Sequence, residues 1–238
     1  MKNQLLSSVS EQHKNYQEIE NLYQVFSHYG SIESMEYDLY DIEPQEVLSL
    51  TTTPLQQLPV ESLKRYAYKA ITNIGSVENY KYFLPRIAEL ILEGQLSICD
   101  FYTRICDTDA NWNSWSIEEK NAIKQFCICL LKHSLKQRAE GADLSLYELY
   151  KYISPFISQK QLIDLLASDP QGMIHAAYLI YDMRRDKIEA IDRYPILFNW
   201  LVSLRVRLKD MLCVHQLQPS DEAIVITEAL QVIGLYSA

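Results

Sequence analysis

The sequence predicts an all-α protein of about ten helices. Turn-forming residues are scarce, since the 238 residues include only 6 glycines and 8 prolines, and a β-sandwich or barrel needs a tight turn every few residues. Apolar residues also recur at intervals of three, four and seven, as in amphipathic helices. Short joints favour antiparallel helical hairpins. These would stack as a HEAT-like α-solenoid or close into an irregular helical bundle, and no fixed-period repeat decides between the two.

The N-terminal part of the chain is predicted as one helix and a long connector. The helix covers residues 8–29 and ends at Gly30. Helical periodicity fades over 31–59, which predicts a partly ordered connector with a short helical turn near 45–50. We therefore predict two domains. Residues 1–59 form an acidic N-terminal helix and connector packed on the main domain, and residues 60–238 form a single helical domain.

Two helical segments follow the connector. Apolar spacing predicts a helix over 60–74 that is terminated by Gly75. Within 77–93, Pro85 cannot donate to the carbonyl four residues earlier. We therefore predict a short turn over 77–83 and a helix that starts near Pro85.

Three capping boxes predict later helix starts. In each, Ser is followed three residues on by Glu or Gln, so that the two side chains satisfy each other's backbone N–H groups. The pairs are Ser116 with Glu119, Ser145 with Glu148, and Ser158 with Gln161. They predict helices over 117–137, 145–153 and 158–167. The remaining predicted helices cover 97–107, 170–183, 186–192, 195–214 and 221–233.

Composition limits the compartment and the partners. The five cysteines fall inside apolar helical patterns, which fits a reducing cytoplasm better than a disulfide framework. No apolar run is long enough for a signal peptide or a membrane span. The net charge of −9 disfavours nucleic-acid binding. We expect a cytoplasmic protein with neither nucleic-acid nor membrane partners.

Motifs of catalysis are missing from the sequence. It contains no phosphate loop, GxGxxG, GxSxG or HExxH, so we expect no enzyme, cofactor or metal. Cys127, Cys129 and His133 come nearest to a metal cluster. Only the last two share a helix face, and two ligands do not make a tetrahedral site. We interpret them as core residues.

Two further sets of residues each allow a structural and a functional interpretation. His175 and Asp182 lie seven residues apart on one predicted helix. This spacing fits an acid–base pair, and it fits equally a hydrogen-bonded histidine at the seam between helices. The basic residues between Arg184 and Lys209 alternate with acids, which favours a solvated, salt-bridged face over an anion site.

The strongest functional signal is the acidic segment, residues 33–46. It contains six acids and no base, interleaved with aromatic residues. Such a surface suits a basic protein partner, because charge guides the encounter and rings anchor it. The alternative is a solvated connector whose apolar residues lie on the helices. The predicted partner-binding residues are Glu33, Glu36, Tyr37, Asp38, Tyr40, Asp41, Glu43 and Glu46.

Arg86 is predicted to form a structural ion pair. A cation near a helix N-terminus is slightly unfavourable. It therefore needs a partner, such as an acid of the preceding turn or of the N-terminal segment.

The stretch from Leu63 to Leu131 resembles a family of uncharacterised, all-helical bacterial proteins. The resemblance rests on a Tyr-Phe-Leu-Pro-Arg run over 82–86, preceded by Gly75, and on a later Trp-x-x-Trp at Trp112 and Trp115. It covers less than a third of the chain. A cysteine pair found upstream in family members is missing here. The resemblance implies a bacterial, soluble and helical protein, without an established activity.

These observations give three functional hypotheses. The first is a non-catalytic protein-binding protein, in particular an immunity or antitoxin-like inhibitor of a basic toxin that uses the acidic segment. The second is an α-solenoid adaptor that binds a peptide in its groove. The third is an enzyme or small-molecule binder with a pocket between helices that uses His175 and Arg86.

Overall fold

The computed structural model describes residues 17–139, 145–184, 187–215 and 221–234. Within these ranges the chain forms thirteen α-helices, with isolated β-bridges but no β-strand. The predicted all-α class with about ten helices is confirmed, while the choice between solenoid and bundle stays a prediction. None of the helices in these ranges has both the length and the apolar character required to cross a lipid bilayer.

The chain divides into two compact units, Met1–Leu130 and Leu131–Ala238. The boundary falls inside one long helix, and the connector over 31–59 belongs to the first unit. The predicted domain division at residue 59 stays a prediction.

The first unit is built around one buried helix. Its helices are α1 (Gln17–Phe26), α2 (Pro44–Thr52), α3 (Val60–Lys69), α4 (Val77–Leu92), α5 (Ile98–Ile105) and the beginning of α6 (Ile117–Ala139). Helices α1, α3 and α5 all pack on α4, and α2 packs on α3. Most residues of α4 are buried, so this helix forms the centre of the core. The part of the predicted helix over 8–29 that precedes residue 17 lies outside the described residues.

The prediction that α4 starts near Pro85 is wrong. The helix runs without interruption from Val77 to Leu92 with Pro85 inside it. Ser76 and Asn79 form a capping box at its N-terminus, which satisfies backbone groups two turns before the proline. Tyr80 and Phe83 in those first turns are fully buried. Capping and burial therefore outweigh the hydrogen bond that Pro85 cannot make.

The second unit contains the end of α6 and seven further helices. They are α7 (Leu146–Ile153), α8 (Gln159–Ser168), α9 (Gly172–Met183), α10 (Lys187–Arg193), α11 (Pro195–Ser203), α12 (Arg205–His215) and α13 (Asp221–Gly234). Helix α9 packs on α7, α8 and α13, while α11 packs on α8, α10 and α12.

Two predicted boundaries in the second unit are wrong. Helix α9 begins at Gly172 and not at Pro170, because the Asp169 carboxylate accepts from the Gln171 N–H in a local turn, at 2.8 Å. The single helix expected over 195–214 is interrupted after Ser203, whose hydroxyl donates to the carbonyl of Trp200 at 2.6 Å. Such side-chain bonds compete with the helical backbone bonds.

Candidate functional site

The acidic segment lies beside the turn that follows α3. The Gly75 N–H donates to the Glu36 carbonyl at 2.7 Å, and the Asp38 N–H donates to the Asn73 carbonyl at 3.3 Å. Tyr37 lies opposite Ile74 in an isolated antiparallel bridge. These bonds fix the backbone of the segment against the turn, so its middle is ordered although it is neither helix nor strand.

This turn replaces the end of a predicted helix. Helix α3 ends at Lys69 and not at residue 74, because Ile71 adopts a left-handed φ of 71°. A β-branched residue rarely takes this conformation, and holding it there costs about 1–3 kcal/mol. Arg104 stabilises the turn by donating to the Ala70 carbonyl at 3.1 Å and to the Thr72 hydroxyl at 3.0 Å.

The apolar residues of the region divide into a buried set and an exposed pair. The buried set comprises Ile32, Met35 and Ile42. Leu39 is 69% exposed and Tyr40 is 98% exposed. The alternative interpretation, a solvated connector whose apolar residues lie on the helices, explains the buried set but not the exposed pair. The exposed pair has large apolar side chains that contact little of the protein.

A tight turn explains why this pair projects. The N–H groups of Asp41 and Ile42 both donate to the Asp38 carbonyl, at 3.0 and 3.2 Å. The Asp38 carboxylate in turn accepts from the Tyr40 N–H at 2.9 Å. Leu39 and Tyr40 therefore occupy the tip of a hydrogen-bonded turn.

Two of the predicted binding carboxylates are already engaged within the protein. Asp41 lies 3.0 Å from the Lys69 ammonium and accepts from the Asn73 amide at 2.5 Å. The hydrogen bond from Lys69, helped by the one from Asn73, holds the pKa of Asp41 below its ordinary value. Glu46 pairs with Arg65 at 3.2 Å. Asp41 and Glu46 thus fasten the segment to α3.

The other predicted carboxylates remain on the surface. Glu33, Glu36, Asp38 and Glu43 are exposed, and Glu33 and Glu36 have no ion-pair partner among the residues that the structure describes. The Glu43 side chain takes part in the capping box of α2. Tyr37, the remaining predicted residue, is half-buried.

A groove of about 680 Å³ lies between the acidic segment and the turn. Its lining comprises Glu36, Tyr37, Asp38, Leu39, Tyr40, Ile71, Thr72, Asn73 and Gly75. The lining includes two carboxylates and no cation. A groove with a single sign of charge concentrates the field and favours positively charged groups.

Arg86 lies in the middle of α4 and connects several elements of the first unit. It donates to Glu89, one turn later in the same helix, at 2.7 Å and to the Leu58 carbonyl at 3.0 Å. Glu89 also accepts from the Tyr23 hydroxyl at 2.9 Å. The ion-pair partner is thus Glu89, and neither the preceding turn nor the N-terminal segment supplies it. Through these bonds Arg86 joins α4 to the connector and, by way of Glu89, to α1.

Sequence reasoning missed a buried charged network elsewhere in the first unit. The Lys81 ammonium lies 3.0 Å from the Glu119 carboxylate and 4.3 Å from the ring centroid of Trp115. Lys81 donates to the Tyr29 hydroxyl at 2.8 Å, and that hydroxyl donates to Glu119. The capping box at Ser116 and Glu119 was visible in the sequence, but the partner on α4 was not.

No family model, curated protein or solved structure matches this chain. The resemblance of residues 63–131 to a bacterial family therefore stays a prediction. The function of the site is therefore inferred from its own residues.

The remaining candidates separate in the structure. His175 is buried, and its Nε2 lies 3.5 Å from the Asp169 carboxylate, not beside Asp182. Burial lowers the pKa of His175. Asp182 lies 3.9 Å from Arg138 and accepts from the Leu146 N–H at 3.1 Å. Of the two interpretations left open by the sequence, the acid–base pair of His175 with Asp182 is therefore not formed.

The cysteines near His133 are buried in α6. Burial raises the pKa of Cys127 far above its ordinary value, which keeps it a neutral thiol. In the described part of the chain, no three His, Cys, Asp or Glu residues come together as metal ligands.

Proposed function

We propose that this chain is a non-catalytic binding protein that recognises a basic segment of another protein. The acidic segment and the groove beside it form the binding surface. The observation that carries the proposal is the exposed pair, Leu39 and Tyr40, held on a hydrogen-bonded turn that follows the exposed carboxylates of Glu36 and Asp38.

Negative charge is the first property of this surface that favours a basic partner. Glu36 and Asp38 line a groove without a cation, and Glu33 is exposed nearby in the same segment. Carboxylates of this kind attract a Lys- or Arg-rich partner over roughly a Debye length, about 8 Å at physiological ionic strength. They raise the association rate more than they tighten the final complex.

The exposed apolar area of Tyr40 is the second property that favours binding at this surface. Tyrosine is enriched among residues that dominate binding energy, since its ring offers a large rigid surface and its hydroxyl a hydrogen bond. Tyr40 is almost wholly exposed, so nearly all of its surface is available to a partner. The turn that holds it is already ordered, which lowers the entropy cost of binding.

The more specific form of the proposal is an immunity or antitoxin-like inhibitor of a basic toxin. Acidity concentrated at one surface suits inhibition of a cationic protein, because a basic nucleic-acid-binding or membrane-binding site is neutralised by carboxylates.

The experiment compares captures by the wild-type chain and by two variants. Tyr40→Ala removes the exposed ring, and Glu33→Lys with Glu36→Lys reverses two charges without disturbing an internal ion pair. We expect the wild type to retain a basic protein, and either variant to lower the affinity for that protein about tenfold or more. Its association rate should fall as salt rises.

Matched controls separate a specific surface from general acidity. Asp210→Lys reverses an exposed charge on α12, and Val206→Ala trims a side chain that is 68% exposed. Both should leave the affinity unchanged. The proposal is overturned if every captured protein binds the Tyr40 and Glu33/Glu36 variants as tightly as the wild type.

A further inference from the structure

A second cavity, in the second unit, is lined by cationic side chains and not by carboxylates. It has a volume of about 440 Å³ and lies where α7 ends and α8 and α11 begin. Lys160 and Arg193 line it, and its lining contains no carboxylate. The volume lies within the range of small-molecule sites, about 300–1,000 Å³.

Two helix N-termini meet at this pocket. Gln159, the first residue of α8, accepts from the Leu197 N–H of α11 at 2.9 Å and so joins the two starts. The N–H groups of Gln159, Lys160 and Ile196, all in the lining, donate to no carbonyl or side chain of the described residues. Free N–H groups at helix starts carry partial positive charge and bind anions.

Tyr150 supplies independent evidence that the pocket takes a polar ligand. This residue is only 1% exposed and lines the pocket. Its ring packs on Tyr194 with centroids 5.0 Å apart. No group in the described part of the chain hydrogen-bonds to its hydroxyl, yet that oxygen is not sealed from solvent. The ring is buried while the hydroxyl is open to the pocket, so an anion bound there can accept its hydrogen bond.

The two cations of the pocket each have a neighbouring acid at the surface. Lys160 pairs with Asp164 at 3.0 Å, but the two side chains are 80% and 62% exposed. Arg193 lies 3.4 Å from Glu189, also at the surface. Exposed pairs of this kind contribute little. Lys160 can therefore turn toward an anion at low cost, while Arg193 lines the pocket with its guanidinium 5.5 Å from the ring centroid of Tyr194.

We propose that this pocket binds the phosphate group of a small phosphorylated molecule. Phosphate has three acceptor oxygens and up to two negative charges, which match three backbone N–H groups, two cations and the Tyr150 hydroxyl. Pro155, Ile157 and Ile196 also line the cavity. The cavity is larger than one phosphate, so these apolar side chains contact the remainder of the ligand. The site is separate from the surface of the proposed function.

The test is a titration of the full chain with inorganic phosphate, against sodium chloride and sodium acetate at equal ionic strength. Backbone amide resonances are followed by NMR. Saturable shifts should appear at Gln159, Lys160 and Ile196 with phosphate and not with chloride. Lys160→Gln and Arg193→Gln should each weaken phosphate binding about tenfold, and Tyr150→Phe should weaken it several-fold.

Lys209→Gln is the matched control, since Lys209 is exposed on α12 and does not line the pocket. It should leave phosphate binding unchanged. Phosphate shifts no larger than those of chloride would overturn the proposal. So would equal losses in Lys209→Gln and Lys160→Gln, or unchanged binding in Tyr150→Phe. Tighter binding of acetate than of phosphate would assign the pocket to carboxylates instead.

Discussion

The ammonium of Lys81 lies 3.0 Å from the carboxylate of Glu119, and the two side chains are only 11% and 4% exposed. Lys81 comes from the second turn of α4 and Glu119 from the first turn of α6. The Glu119 carboxylate also accepts from the Ser116 N–H at 2.7 Å. The same carboxylate thus caps one helix and neutralises a buried cation on another.

Removing one partner of this pair should destabilise the protein strongly. Lys81→Met leaves a buried carboxylate without its cation and should lower the free energy of unfolding by about 3–5 kcal/mol. Urea unfolding followed by tryptophan fluorescence measures this change. The double variant Lys81→Met/Glu119→Gln should recover part of the loss, because no net charge remains buried.

The exposed pair Lys160–Asp164 provides the control for this experiment. Asp164→Asn breaks an ion pair of similar length, 3.0 Å, at the surface, and should cost less than about 1 kcal/mol. If Lys81→Met costs no more than Asp164→Asn, the buried pair does not stabilise the core.

The Glu119 carboxyl should also make stability depend on acid pH. Burial alone raises the pKa of Glu119. Hydrogen bonds from Tyr29, Lys81 and the Ser116 N–H outweigh burial and lower the pKa below its ordinary value. The unfolded chain therefore takes up the proton at the higher pH. The stabilisation is present above about pH 4.5 and is lost as the pH falls through the folded-state pKa.

Unfolding free energies measured from pH 7 to pH 3 test this dependence. Relative to wild type, Glu119→Gln should flatten the decline below about pH 4.5. Equal slopes in the two proteins would contradict it.

Helix starts could be predicted from sequence because their signals are local. The capping boxes at Ser116 and Ser158 each join residues three apart, and the structure contains both sets of bonds. The end of α3 could not be predicted in the same way. Its turn depends on Arg104, more than thirty residues later, and on the acidic segment before it. A contact between distant residues leaves no periodic pattern in the sequence.

The candidate site was predicted as a segment but not as individual contacts. Spacing and charge identified residues 33–46, yet they could not distinguish Asp41, which pairs with Lys69, from Glu36, which lines a groove. Nor could they separate Ile42, which is buried, from Tyr40, which is exposed. These differences follow from the three-dimensional position of α3, which no local pattern specifies.

Arg86→Met should loosen the connector and α1 together. The substitution keeps an apolar stem but removes the bonds to the Leu58 carbonyl and to Glu89. We expect a loss of about 1–3 kcal/mol and faster amide hydrogen exchange at 55–58 and in α1. Arg65→Met, which breaks the more exposed pair with Glu46, is the control and should leave exchange in α1 unchanged. Unaltered exchange in the Arg86 variant would refute the link.

Gly172→Ala should destabilise the second unit. A Cβ at this position would lie 1.7 Å from the Leu166 carbonyl oxygen, and backbone cannot move aside as a flexible side chain can. We expect a loss of about 3 kcal/mol or more, measured by urea unfolding. Gly234→Ala is the matched control, since its Cβ would be 3.9 Å from the nearest atom outside its own helix turn, on the Arg205 side chain. A Gly172→Ala protein as stable as Gly234→Ala would mean that the close approach of α9 to α8 is absent.

Ile71 and Ile74 lie in the same turn, but glycine should be tolerated at Ile71 and strongly destabilising at Ile74. Ile71 is half-buried with a φ of 71°, so Ile71→Gly relieves about 1–2 kcal/mol of strain while losing a similar amount of apolar burial. Its free energy of unfolding should stay within about 1 kcal/mol of wild type. Ile74 is fully buried, and Ile74→Gly should cost about 3–5 kcal/mol. Equal losses, measured by urea unfolding under one set of conditions, would mean that Ile71 is not strained and that the groove wall is stabilised by its side chain instead.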